Sequence, residues 1–212
     1  MAHAYWPLFD LELATPDLHL RPMTEADLMS VAGIMPPDLE LDPAATRYDV
    51  GDKQASRGII ACQTYWKAFG TWHPQAWRLN FTVFAGDEMI GVQELEGNDF
   101  PTLRTVDSAS WLVSGARGRG YGKQMRSAVL ALAFGPLEAR EAITSAWHDN
   151  HASLGVSRAL GYRDNGLSLH RRDDGVDVMT HLRLTRNDWL TGAARQDTHI
   201  SGFDQCRALF GL

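Results

Sequence analysis

The sequence predicts a mixed α+β domain. We expect a mostly antiparallel sheet of seven strands, one parallel β-α-β crossover, and helices on both faces. Three observations carry that expectation. Two pairs of apolar, strand-like segments are joined by turns rich in Gly and Asp, which reads as antiparallel hairpins. Residues 108–147 read strand, loop, helix, strand, and such a unit joins parallel strands by a right-handed crossover. Two helical stretches precede the first long strand.

Taken in order, residues 17–21 form a short strand with Leu18 and Leu20 on one face, ended by Pro22. Thr24 followed by Asp27 resembles a capping box and opens a helix over 25–35. Residues 36–51 are rich in Pro and Asp and read as loop. A helix fits 56–72. In 77–84, Trp77, Leu79, Phe81 and Val83 share one face, and after Gly86-Asp87 the chain returns as a strand over 89–95. A loop with Pro101 leads to a strand over 108–113. In the helix over 123–134, Met125, Ala128, Val129 and Leu132 form the apolar stripe. A strand over 142–147 precedes Asn150, which caps a helix over 151–160 that stops at Gly161. A closing hairpin spans 162–172 and 176–185. The expected organisation is an arm over 1–16, a domain over 17–187 and an extension over 188–212. That extension carries Phe203, Leu209 and Phe210, and is expected to pack on the domain or a second subunit, so a homo-oligomer is possible on sequence grounds.

Composition narrows the function. With 212 residues the chain can bury a core without disulfide or metal staples, and its two cysteines, Cys62 and Cys206, form no CxxC motif. The net charge of −6 argues against a nucleic-acid or anionic-membrane partner. No apolar run is long enough to span a bilayer, and the start lacks a secretory pattern, so a cytoplasmic protein is expected. One segment departs from this acidity. Arg117, Arg119, Lys123 and Arg126 are interleaved with Gly118, Gly120 and Gly122.

A glycine-rich loop between strand and helix suits phosphate. Glycines let the backbone come close, and N–H groups at the helix start face the anion. Walker A fails because Gln124 follows Lys123, and the dinucleotide pattern fails at Lys123 in one register and Met125 in the other. The spacing that fits is Arg117-x-x-Gly120-x-Gly122, with Tyr121 inside it. It resembles the pyrophosphate loop of the GNAT superfamily of acyl-CoA-dependent N-acyltransferases. The opening Leu20-Arg21-Pro22-Met23-Thr24-Glu25-Ala26-Asp27 and the closing Leu160-Gly161-Tyr162 are similar to the same family, so the resemblance covers about residues 17–185. Trp111 and the Asn150-x-x-Ser153 spacing resemble the branch containing ribosomal-protein N-terminal acetyltransferases.

The resemblance implies roles. The loop at Gly118, Arg119, Gly120, Tyr121, Gly122 and Lys123, with Arg117, would hold the CoA pyrophosphate. Backbone groups near Leu112, Val113 and Ser114 would pair with the pantetheine arm and polarise the thioester carbonyl. Asn150 would cap its helix and meet the pantetheine amides. An amine of pKa about 10.4 must lose a proton, for which Asp107 is the first candidate, Glu94 the second and water a third. The family's usual tyrosine falls at Ser157, so Ser153 is the candidate partner of the departing thiol. The co-substrate is acetyl-CoA or another short acyl-CoA, and a basic pocket including Arg104 would favour succinyl-CoA. A non-catalytic CoA-binding protein is the rival reading. The acceptor stays open among a protein N-terminus, a lysine and a small amine. His148 and His151 read as a loop pair, no metal is expected, and Trp66, Trp72 and Trp77 are core or acceptor-pocket residues.

Overall fold

The computed structural model describes residues 3–40, 48, 50–193 and 195–212. Residues 41–47 and 49 of the expected 36–51 loop lie outside the described residues, as do residues 1, 2 and 194. In chain order the strands are β1 (Glu12–Ala14), β2 (His19–Pro22), β3 (Ala76–Ala85), β4 (Glu88–Asn98), β5 (Thr105–Asp107), β6 (Ser110–Leu112), β7 (Glu141–Trp147), β8 (Arg163–Arg172), β9 (Gly175–Thr185) and β10 (His199–Ser201). The helices are α1 (Leu28–Ile34), α2 (Lys53–Gly70), α3 (Phe100–Leu103), α4 (Tyr121–Phe134), α5 (His151–Ala159), α6 (Arg186–Thr191) and α7 (Phe203–Cys206). They build one sheet in the order β10-β1-β2-β3-β4-β5-β7-β9-β8, with β6 beside β4. Among the described strands only β5 and β7 pair in parallel, and every other pairing is antiparallel.

Alternation sends successive side chains to opposite faces. On one face, Leu79, Phe81 and Leu95 join Met125, Val129 and Leu132 of α4 in the main core. On the other, Val92 packs with Met23, Leu28, Val31 and Tyr65 beneath α1 and α2. The opening cap forms as the sequence suggested. Thr24 N–H and its hydroxyl both donate to Asp27, which also takes two bonds from Arg21 at 2.7 and 2.8 Å.

The sheet has ten strands rather than seven. Two of the additions, β1 and β10, pair with each other and lie within the expected arm and extension. Each has three residues, too short for alternation to be read, and their partners are far apart in sequence. Phe203, Cys206 and Phe210 then enter the core, where Trp77 meets Phe210 at a centroid distance of 4.9 Å. The third addition arises because the expected strand over 108–113 starts earlier and breaks into β5 and β6. The expected loop around Pro101 also contains α3.

Candidate active site

The break between β5 and β6 makes the site. β5 pairs with both β4 and β7, whereas β6 pairs with β4 alone, so the sheet forks after Asp107. Two residues of β4 hold β6 on its side. A Cβ on Gly91 would lie 2.2 Å from the Trp111 carbonyl oxygen, so only glycine admits this approach. Gln93, fully buried, donates its amide N–H to the carbonyls of Glu94 and Ala109 at 2.9 Å each, which satisfies the backbone at the break.

Antiparallel pairing alternates the backbone direction along β6. The Ala109 carbonyl accepts from Glu94 N–H and the Val113 N–H donates to Ile90, so these groups are spent on β4. The Val113 carbonyl accepts from Ala116 N–H. Ser110 and Leu112 therefore turn their backbone toward the fork, where the Leu112 carbonyl accepts from Arg117 Nε at 3.1 Å.

The loop follows directly. Gly118 and Gly120 have φ of 73° and 83°, and Gly120 stands at the N-cap of α4. The Gly120 carbonyl accepts from Lys123 and Gln124 N–H, both at 3.1 Å. Among the described residues no protein acceptor takes the N–H groups of Gly118, Arg119, Gly120, Tyr121 or Gly122. That leaves a cluster of donors at a helix start, the arrangement that binds an anion. The side chains are less free than their charges suggest. Arg117 makes a two-point contact with Asp38 at 2.6 and 3.0 Å, and Arg119 lies 4.9 Å over the Tyr121 ring. Arg119 and Tyr121 line a cavity of about 310 Å³ with Asp17, Glu88 and Val113.

Asp107 ends β5 at the fork, opposite Glu96 in register and so on the face that carries α1 and α2. Burial pushes its carboxyl up to about 6, and Glu96 adds to the rise, while the Ser108 N–H at 2.6 Å, Arg126 and Arg78 oppose it. Glu94 lies on the same side of β4, 3.6 Å from Arg78. Arg126 belongs to the charged run of the sequence but not to the loop. From α4 it reaches under the fork and bonds Thr144 of β7 and Ser110 of β6, both at 3.3 Å.

The far bank is the end of β7 and the start of α5. Asn150 Oδ1 accepts from Ser153 N–H at 3.0 Å, which is the expected cap. Ser153 is half-buried at the first turn, and its hydroxyl has no protein partner among the described residues. Ser157 is buried and donates to the Ser153 carbonyl at 3.1 Å. His148 meets Asp177 at 3.1 Å, His151 is exposed, and the described residues hold no cluster of three or more His, Cys, Asp or Glu that could bind a metal.

Two features escaped the sequence. Arg172 contacts Glu40, Asp149 and Asp177, which raises its own pKa, and it lies 5.0 Å over Trp147. With Arg117–Asp38, it ties the segment after α1 to both banks of the fork. Buried Tyr162 brings its hydroxyl beside Ser108 and Arg126. Arg104, in contrast, sits at the opposite end of β5 from the fork and donates to the Leu137 carbonyl, so it does not line the site. Trp72 and Trp77 stack in the core, while Trp66 is half exposed in an apolar cleft between α1 and α2.

The sheet thus forks after Asp107, and the N–H-rich loop lies beyond β6 at the open end of that fork. The sequence model of the Acetyltransferase (GNAT) domain matches residues 17–163, and the chain belongs to that family. Among solved structures it is similar to Mycobacterium smegmatis RimJ in complex with CoA-disulfide, with 18% identity, TM-score 0.69, and coverage of 89% of this chain and 93% of that one. A putative ribosomal-protein-serine acetyltransferase from Vibrio cholerae is similar at 17% identity and TM-score 0.62, covering 82% and 97%. A spermidine N-acetyltransferase chimera of Vibrio cholerae SpeG and hSSAT is similar at 13% and 0.64, covering 83% and 99%. At these identities the likeness concerns the fold. No helix among the described residues is long and apolar enough to cross a membrane.

Proposed function

We propose that the protein moves an acetyl or other short acyl group from acyl-CoA directly to a primary amine in a ternary complex. The observation that carries this reading is the fork with its N–H-rich loop at one end and Asp107 at the other. Donors at Gly118 to Gly122, with Lys123, take the pyrophosphate. The outward backbone of Ser110 and Leu112 pairs with the pantetheine arm and polarises the thioester carbonyl.

Asp107 takes the ammonium proton. A carboxyl raised to about 6 is mostly ionised at neutral pH yet closer in basicity to its task than an ordinary aspartate. The free amine attacks the carbonyl carbon, the C–N bond forms, the C–S bond breaks, and the electron pair leaves on sulfur. Ser153, whose hydroxyl is uncommitted, takes the remaining surplus proton from the attacking nitrogen and passes its own to the thiolate, which leaves the amide and the CoA thiol. The putative ribosomal-protein-serine acetyltransferase and the spermidine N-acetyltransferase chimera among the fold neighbours make protein amines the first acceptors to try, with polyamines next.

CoA release is measured with acetyl-CoA against peptide and amine panels, with CoA binding followed by calorimetry. Turnover that falls about 100-fold in Asp107→Asn while CoA binding remains supports the reading. Binding without turnover on any amine would instead favour the non-catalytic CoA-binding protein, which the commitment of Ser157 to a backbone carbonyl makes worth testing.

A further inference from the structure

Arg126 is 3% exposed, and its guanidinium spans β6 and β7 where they part. Its two long bonds go to neutral hydroxyls, Ser110 and Thr144, and among the described residues it makes no carboxylate ion pair. Among the described residues its Nε has no hydrogen-bond partner, and the Tyr162 hydroxyl and Ser108 lie beside it. A buried cation without a counter-ion is costly, and a well-packed apolar side chain would serve stability better. Its value lies in its charge. The carboxyl that feels this charge is Asp107, which is the group that loses its own charge when it takes a proton.

We propose that Arg126 is an electrostatic positioning residue that stabilises the thiolate as it leaves in the fork. The proposal rests on the acyltransferase reading given above. The C–S bond breaks with its electron pair on sulfur while the ammonium proton passes to Asp107. Negative charge thus moves from the aspartate to the sulfur as the reaction proceeds. A fixed cation under both keeps a partner throughout and needs no rearrangement at the moment of reaction. The fork therefore does not depend on a tyrosine at position 157, where Ser157 is spent on its own helix. Tyr162 and Ser108 flank the guanidinium.

The test uses the full chain with Arg126→Met, Arg126→Gln and Arg126→Lys, each checked for fold by circular dichroism and for CoA binding by calorimetry. The thiol of bound CoA is titrated through its thiolate ultraviolet band, as the difference between CoA-loaded and CoA-free protein. In the wild type the thiol should titrate about one unit or more below the free-thiol value near 8.5. In Arg126→Met it should return to that value, with kcat down about 10- to 100-fold and KM for acyl-CoA little changed. Arg126→Lys should stay close to the wild type. Should Arg126→Met fail to fold, Arg126→Gln, which keeps hydrogen bonding but drops the charge, gives the same comparison. Equal titrations in the wild type and the folded neutral variants overturn the proposal and leave the acyltransferase reading standing. A wild type that binds no CoA removes that reading, and the proposal with it.

Discussion

The loop above the fork and the floor beneath it both offer positive charge, yet they hold it differently. Arg117 stands in solvent and is already paired with Asp38, their side chains 44% and 60% exposed. Such an ion pair contributes little and weakens with salt, so the guanidinium can change partners when a substrate phosphate arrives. Arg126 is 3% exposed and, among the described residues, hydrogen-bonds only the neutral hydroxyls of Ser110 and Thr144. An exposed cation suits a ligand that binds and leaves every cycle, whereas a buried one suits charge that appears only during the chemical step. Substitutions on the two sides should therefore separate binding from turnover.

The largest effect belongs to the loop backbone. Gly120 sits at φ 83°, where a β-branched residue is strongly disfavoured, and it belongs to the donor cluster. Gly120→Val should weaken CoA binding by about 100-fold or more by calorimetry. Retained affinity would show that the loop amides do not hold the substrate.

Asp107→Asn should act the other way, on turnover rather than binding, with kcat down about 100-fold. It also carries a stability sign. Burial raises the carboxyl to about 6 in the folded state, above the unfolded value near 3.9, so folding favours the protonated form. That contribution is complete below about pH 4 and is lost as pH rises through about 6. At pH 7.5 the neutral amide of the Asp107→Asn variant should therefore increase stability by about 1–3 kcal/mol, read by chemical denaturation at pH 4 and 7.5. The gain should vanish at the lower pH. A gain that is equal at both would mean the carboxyl is not strained by burial.

The same division explains what could be read in the sequence. The loop was legible because its chemistry is local: glycines and basic residues at fixed spacing between a strand and a helix. The caps at Thr24 and Asn150 were legible for the same reason. The floor was not. Arg126 stood in the charged run, but α4 carries it away from the loop and inward, and only contacts with β6 and β7 say so. The break before β6 depends on Gly91 and Gln93, two residues of a different strand. Tyr162 read only as the end of a motif, because its role depends on Ser108 and Arg126 across the sheet. Three-residue β1 and β10 carry no period, and the short α3 begins at a proline-bearing turn that read as loop.

Ser153 should give a smaller effect than Asp107. Its backbone N–H, not its hydroxyl, completes the Asn150 cap, so Ser153→Ala keeps the helix start while removing the proton donor. We expect kcat down about tenfold, since water can protonate a thiolate, with the melting temperature unchanged. A loss of stability without a loss of turnover would move the hydroxyl from chemistry to structure.

The smallest effect sharpens the contrast most. The Arg117 guanidinium holds the Asp38 carboxyl below its ordinary range, and Asp38 is the group a substrate phosphate must displace. Asp38→Asn removes that competitor and leaves Arg117 on the Leu112 carbonyl. CoA should then bind about two- to threefold more tightly at low salt, with the gain shrinking as salt screens the freed charge. kcat should not change, because the floor is untouched. If Asp38→Asn instead weakened binding, the ion pair would be positioning Arg117 for the phosphate rather than competing with it. The segment after α1 would then be part of the substrate site and not a clasp that opens for it.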